Sequence, residues 1–261
     1  SKKDCMQAYY YMGATYADLN DSPRAVESTL KALSYREGEQ SCDTAIAIKC
    51  YSHLSDIYRR LYNSQESIHM AMAGLELAKE AGMATSWYTM DVATSYNMAG
   101  DRKQGMEYCR KAYERLLEEK NYAVNTTIAA EMMYLFAKNE EYGKVDTLAE
   151  ILEKIPGHEH SYNYNYAKGI VYEARGMMDS AVAYYTKDIS IPSPHKRQAS
   201  LTRLFLFQYN QGNYKEASEY ALKYLYGMRA ENDSKEMEWT RNSKGMYDYQ
   251  RDKELEETLA R

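Results

Sequence analysis

The sequence predicts an all-α protein: a right-handed α-solenoid of about six two-helix hairpins, followed by a C-terminal helix. Three observations carry this. A pattern of large and small residues returns six times, with positions 13, 55, 93, 133, 169 and 205 equivalent. Residues that start helices stand at one fixed place in most copies. No segment shows the two-residue alternation of a strand.

The elements follow in order. Tyr9, Met12, Gly13 and Tyr16 place a helix over 3–19. Asp21, with Pro23 as an early helical residue, starts the next over 23–37, where Ala25 and Ala32 repeat at a seven-residue interval. The second copy reads Tyr51, Leu54, Ser55, Tyr58, then Ser67 and Gly74, giving helices at 43–61 and 64–81. The third reads Val92, Ala93, Tyr96, then Gly105 and Ala112, giving 85–99 and 102–119. The fourth, at 123–138 and 142–154, is the faintest, because Met133, Val145 and Leu152 stand where small residues are expected. Gly169, Tyr172 and Ala181 set the fifth over 161–175 and 178–188. Leu201, Leu204, Tyr214 and Ala217 set the sixth over 196–211 and 214–230. A charged helix over 234–259 closes the chain, with a thin apolar edge at Tyr249, Leu255 and Leu259.

The physical logic is that large residues at i, i+3, i+7 and i+10 form one helical stripe. Small residues one stripe over let the paired helices approach closely, as at Gly13, Ala25 and Ala32. One hairpin cannot bury both of its faces, so neighbours stack. Asp21, Asn63, Asp101 and Asn213 occupy one frame position and are good N-caps; Glu66, Gln104 and Glu216 would complete capping boxes at three of them. Gly82, Gly100, Gly176 and Gly212 mark helix ends.

These residues resemble the tetratricopeptide repeat, whose pattern is a large apolar residue, Leu-Gly, Tyr, then two spaced alanines. The resemblance spans roughly residues 5 to 230. The steps here are 42, 38, 40, 36 and 36 residues, against about 34 in the usual repeat. That is similar to repeats of bacterial regulatory proteins more than to the compact co-chaperone form. The resemblance implies a concave groove lined by the first helix of each repeat. The implied lining is Gln7, Tyr10, Ala14 and Ala17; Lys49, Ser52, Asp56 and Arg59; and Trp87, Met90, Thr94 and Asn97. It continues as Thr127, Ala130, Tyr134 and Ala137; Asn163, Tyr166, Ile170 and Glu173; and Ala199, Thr202, Leu206 and Tyr209. Among these, Tyr10, Lys49, Asp56, Arg59, Trp87, Met90, Asn97, Tyr134, Asn163, Tyr166, Glu173 and Tyr209 are the candidate contacts for a protein or peptide segment. Co-chaperone repeats grip a terminal carboxylate with Lys, Asn and Arg. Tyr10, Ala14, His53, Trp87 and Asp91 stand there instead, so that clamp is absent.

Composition narrows the function. The net charge is −5 with no dense basic run, which argues against nucleic-acid binding by this fragment. No stretch of 18 apolar residues suits a membrane span. Tyrosine appears 28 times against 3 phenylalanines; it buries a ring while keeping its hydroxyl wet, which suits thin structures. Cys5, Cys42, Cys50 and Cys109 form no CxxC pair and read as buried thiols. His158-Glu159-His160 reads as an exposed inter-repeat loop rather than a metal site, and Cys50 with His53 as a packed pair. No GxSxG, HExxH or phosphate-cradling loop is present. The expectation is therefore a non-enzymatic scaffold or sensory domain without cofactors. A small-molecule sensor and a structural oligomerisation module are the alternatives, and a homo-oligomer is compatible with all three.

The predicted division is a repeat array over 1–232 and a charged helix over 233–261, either a cap or the start of a connector to a further segment. The chain opens Ser-Lys-Lys without an apolar leader, which fits a fragment of a bacterial membrane-bound regulator, on either side of the membrane.

Overall fold

A computed structural model describes residues 1–36, 43–122, 126–190 and 197–259. Among these residues there are twelve α-helices, one 3-10 turn and no strand. The helices are α1 (Lys2–Asp18), α2 (Ser22–Ser34), α3 (Thr44–Arg60), α4 (Ser64–Glu80), α5 (Ser86–Met98) and α6 (Arg102–Glu119). They continue as α7 (Thr126–Lys138), α8 (Tyr142–Leu152), α9 (Tyr162–Ala174), α10 (Met178–Ser190), α11 (Arg197–Asn210) and α12 (Tyr214–Leu259). No helix of the described residues is long and apolar enough to cross a membrane. The chain divides into two compact units, Ser1–Glu119 with Glu236–Arg261, and Lys120–Lys235.

All six hairpins close with one backbone turn. Asn20, Tyr62, Gly100, Glu140, Gly176 and Gly212 stand seven residues after the six equivalent positions, and each has positive φ, between 57° and 85°. The next residue's N–H returns to a carbonyl five residues back: Asp21 to Tyr16, Asn63 to Tyr58, Asp101 to Tyr96, Glu141 to Phe136, Met177 to Tyr172 and Asn213 to Gln208. This is the Schellman closure, in which a left-handed residue lets two orphan carbonyls find donors. It places the faint fourth copy firmly in the frame. Three of the four predicted caps then form: Asp21, Asn63 and Asp101 accept from the N–H of Arg24, Glu66 and Gln104 at 3.3, 3.3 and 3.0 Å. Asn213 instead turns its amide to Gln208 Oε1 at 2.8 Å. A reciprocal capping box forms at Ser1 and Asp4.

In the first unit, α1 pairs with α2, α3 with α4 and α5 with α6, while α1, α3 and α5 also pack on one another in sequence. Small residues let the hairpins close: a Cβ added to Gly13 would lie 2.3 Å from Thr29 Oγ1. Ala25 and Ala32 are fully buried. Met6, Ile46, Ile48 and Leu77 form a core between the first two hairpins; each such side chain contributes roughly 1.5–3 kcal/mol by leaving water. In the second unit, α7 pairs with α8 and α9 with α10, and α9 packs on α7 and α11. Met133, Val145 and Leu152, the residues that weakened the fourth copy, are buried there.

Two expectations need correction. The predicted break between 230 and 234 does not occur, because α12 runs unbroken from Tyr214 to Leu259. Glu231, Asn232 and Asp233 include no Gly or Pro, and a helix tolerates such residues at a few tenths of a kcal/mol each. Cys5 is exposed, while Cys50 and Cys109 are buried; burial pushes the Cys50 thiol up to about 12. His158–His160, expected as an exposed segment between repeats, is a single 3-10 turn between α8 and α9, with His160 exposed and His158 half-buried. His158 Nδ1 lies 2.9 Å from Ile155 O, and its ring stands edge-on to Tyr164 at 4.9 Å. Cys42 lies outside the described residues, as do the expected helix ends at 37, 123 and 196.

Candidate functional site

In the first unit the first helices α1, α3 and α5 lie side by side, and named side chains tie them together. Tyr10 meets His53 edge-on at 6.0 Å, and a His53 ring nitrogen lies 3.3 Å from Thr29 Oγ1. Burial holds the His53 imidazole below its ordinary pKa. Between α3 and α5, Arg59 Nη1 donates to Asp91 Oδ1 at 3.0 Å, while Arg59 Nη2 reaches Asp56 Oδ1 at 3.3 Å. Side-chain exposure is 15% for Arg59 and 10% for Asp91. Asp91 Oδ2 is buried without a hydrogen-bond partner. Burial therefore raises the Asp91 carboxyl above the usual range, with Arg59 opposing. Beside the pair, the hydroxyls of Ser55, Ser67 and Ser95 bond one another at 2.9–3.4 Å in the core.

The predicted residues of this unit thus sort by physical role. Lys49 is exposed, Trp87 is 44% exposed, and Tyr10 and Asp56 are half-buried. Arg59 is an internal tie rather than a free surface cation. Met90, expected on the groove, is 1% exposed and belongs to the core, because α5 packs against α3, α4 and α6 and keeps only a narrow open stripe. Asn97, also expected there, is turned toward α6: a Cβ on Gly105 would lie 2.4 Å from Asn97 Oδ1.

Of the second unit's five predicted residues, Glu173 lines one cleft, Asn163 lines another, and Tyr134 and Tyr166 belong to a ladder of rings. Tyr134 and Tyr166 approach to 5.7 Å between ring centres, and Tyr166 to Tyr185 at 5.9 Å. Lys138 Nζ sits 4.9 Å from the Tyr134 ring centre, a favourable cation–π placement. Tyr166, expected on an open groove, is only 7% exposed; it is the middle ring of this ladder. Glu173 accepts from Tyr185 Oη at 2.5 Å and from Arg203 Nη1 at 2.9 Å. Burial first, then the Glu173 contact, raises the Tyr185 phenol, so it stays a proton donor to Glu173.

This ion pair lies in a cleft of ≈ 360 Å³ lined by Glu173, Met178, Ala181, Val182, Tyr185, Arg203, Leu206, Phe207, Asn210 and Gln211. Leu206 and Met178 are 44% and 38% exposed. A second cleft of ≈ 330 Å³ is lined by Thr126, Thr127, Ala130, Leu152, Pro156, Gly157, His158, His160, Ser161 and Asn163. Thr127, Ala130 and Asn163 are three of its predicted lining residues; Asn163 is 9% exposed. Tyr209, 53% exposed, instead packs against Phe205 and Tyr214, at 5.8 and 5.4 Å.

Sequence reasoning missed Arg203, Tyr185, Asn210 and Gln211. Tyr185 carried a usable signal, since its ring fills the space left by Gly169, where a Cβ would lie 2.3 Å from Tyr185 Cε1. Among the described residues, no group of three or more His, Cys, Asp or Glu side chains is placed to hold a metal ion.

Six two-helix repeats with a common turn, small hairpin contacts and stacked first helices define a tetratricopeptide-like helical-repeat protein of the α-solenoid class. Solved structures share the fold. Aspartyl phosphate phosphatase F from Bacillus subtilis is 10% identical with a TM-score of 0.66, over 87% of this chain and 61% of that one. The apo form of RapI is 14% identical with a TM-score of 0.69, over 90% and 66%. A Rap protein complexed with competence and sporulation factor is 12% identical with a TM-score of 0.61, over 88% and 65%. The chain thus spans 61–66% of the length of these proteins. No protein-family model and no curated protein sequence matches it.

Proposed function

We propose that this chain is a non-catalytic interaction module that holds a protein or peptide segment against the first helices of its repeats. The cleft between α9, α10 and α11 serves as an anchor. The observation that carries this is the pairing, in one open cleft, of apolar walls with a fixed ion pair. Met178, Val182, Leu206 and Phe207 offer apolar surface, while Glu173 and Arg203 hold each other in place at its edge. An apolar anchor with a few positioned polar groups is how interfaces concentrate binding energy. Arg203 has five N–H donors and directs only part of them to Glu173, which leaves donors for the carbonyls of a bound chain. The complex of one fold relative with competence and sporulation factor supports a binding role for such repeats. The first unit, taken by itself, offers Tyr10, Lys49, Asp56 and Trp87 as accessible candidates for a separate contact.

The test is a peptide-display selection on the intact chain, with the selected peptides measured against Leu206→Glu and Arg203→Ala. Both positions are on the surface, so the variants keep the fold. The expected result is binding that weakens about tenfold or more in each variant. Peptides that bind both variants as well as the unchanged chain, or a selection that yields none, would refute the anchor.

One observation favours a second reading. Both clefts exceed the ~300 Å³ lower bound of small-molecule sites, which fits a metabolite sensor. A thermal-shift screen that finds a stabilising metabolite, with the shift lost in Leu206→Glu, would replace the peptide reading.

A further inference from the structure

The outer face of α12 carries a pattern that the binding role does not use. Lys215, Glu219, Leu222, Tyr226, Arg229 and Asp233 are spaced 4, 3, 4, 3 and 4 residues apart. All six are exposed, Leu222 at 51% and Tyr226 at 70%. This alternation of three and four residues sets all six on one stripe of the helix, with two apolar residues at its middle and two charged residues toward each end. The opposite face of the same stretch holds Ala217, 1% exposed, and Tyr220, which packs against the core of Tyr166, Tyr185 and Leu204. The stripe therefore points away from its own unit.

Earlier hairpins show that this kind of surface is normally covered. Leu33, Leu75 and Ile189 stand at the frame position of Leu225, and each joins a core that includes side chains of the hairpin that follows it. Met72, at the position of Leu222, accepts a hydrogen bond from Tyr108 Oη at 3.4 Å. Leu225 is 60% exposed and Leu222 has no such cover.

The charges along the stripe select the occupant. We propose that it is a second copy of this chain, with the two α12 helices packed antiparallel about a two-fold axis at Tyr224. That axis places Leu222 opposite Tyr226 of the second copy, Glu219 opposite its Arg229 and Lys215 opposite its Asp233. Symmetry makes each contact occur twice, as an isologous interface requires. The apolar pair lies at the centre and the ion pairs flank it, in the order that interfaces favour. A parallel arrangement would set Lys215 against Lys215 and Glu219 against Glu219, and repulsion excludes it. The surface is separate from the α9–α11 cleft, so the two proposals stand or fall independently.

Sedimentation velocity on the intact chain, raised through the micromolar range, tests this. The expected species at high concentration has twice the 30.2 kDa chain mass. Glu219→Arg and Arg229→Glu each turn two attractions into two repulsions, and each should weaken the dimer about tenfold or more. The double swap Glu219→Arg with Arg229→Glu should restore it. Leu222→Glu should give a monomer with an unchanged helical signal. A chain that stays monomeric, a dimer indifferent to the single swaps, or a double swap that fails to rescue would each overturn the pairing.

Discussion

Replacing Arg59 with Met tests the tie between α3 and α5 most directly. Methionine keeps much of the arginine stem's volume, so the change removes charge and hydrogen bonds more than packing. It leaves Asp91, with 10% side-chain exposure, facing a site where Oδ2 already lacks a partner. Breaking a buried pair from one side costs roughly 3–5 kcal/mol. An independent bound agrees. The chain can escape by protonating Asp91, and moving a carboxylate from its ordinary value near 4 to pH 7 costs about 1.4 kcal/mol per unit, or about 4 kcal/mol. The pH dependence follows. Asp91 is already raised by burial, and losing Arg59 raises it further. An acid whose folded pKa lies above its unfolded value binds more protons when folded, so its contribution is lost as pH rises from the unfolded toward the folded pKa. The Arg59→Met penalty should therefore be largest near neutral pH and shrink on acidification toward the unfolded carboxylate value. Adding Asp91→Asn should recover much of it. Urea unfolding of both variants at pH 7 and pH 5, followed by circular dichroism, measures this. A penalty below about 1 kcal/mol that does not change with pH would refute the description of Asp91 as a dehydrated carboxylate held by Arg59.

Four further outcomes follow from the packing. Tyr62→Gly should stabilise the chain by about 0.5–1 kcal/mol, seen as a higher Tm, because Tyr62 is 75% exposed and holds φ at 57°, a conformation costly for a residue with a Cβ. Gly169→Ala should cost about 1–3 kcal/mol in urea unfolding, since the new methyl would meet the buried Tyr185 ring; Ala25→Leu should cost a similar amount in the first hairpin. Trp87→Ala should leave the unfolding free energy, measured in urea, within about 0.5 kcal/mol of the unchanged chain, as befits an exposed side chain. Loss of cooperative unfolding in that variant would mean that Trp87 is core.

The fold was legible because its repeat is written in residue size. Gly13, Ala25 and Gly169 mark where helices touch, and Asp21, Asn63 and Asp101 mark where they start. Even the turn residues were partly visible, at Gly100, Gly176 and Gly212. Asn20 is a second kind of signal, since asparagine tolerates the left-handed region; at Tyr62 and Glu140 the same turn uses residues that do not announce it, because the closing hydrogen bonds impose the conformation. The site was less legible. Frame positions borrowed from a tighter repeat took Met90 and Asn97 for surface, whereas contacts from three neighbouring helices bury α5 on most sides. Arg59 was named but its partner Asp91, 32 residues away, could not be read from helical spacing. The Glu173–Arg203 pair, 30 residues apart, escaped in the same way. Local rules set helices and turns; partners from successive repeats require the stacking itself.

The six identical turns bear on how the chain folds. Each joins a helix to the next through three residues, so every hairpin's contacts are close in sequence. A hairpin with such local contacts should form on the microsecond-to-millisecond scale. Because the same closure recurs in all six copies, no single hairpin need be the obligatory nucleus, and structure can spread from any of them to its neighbours. A mutation in one turn should then slow one local step while the remaining hairpins form at their own rate.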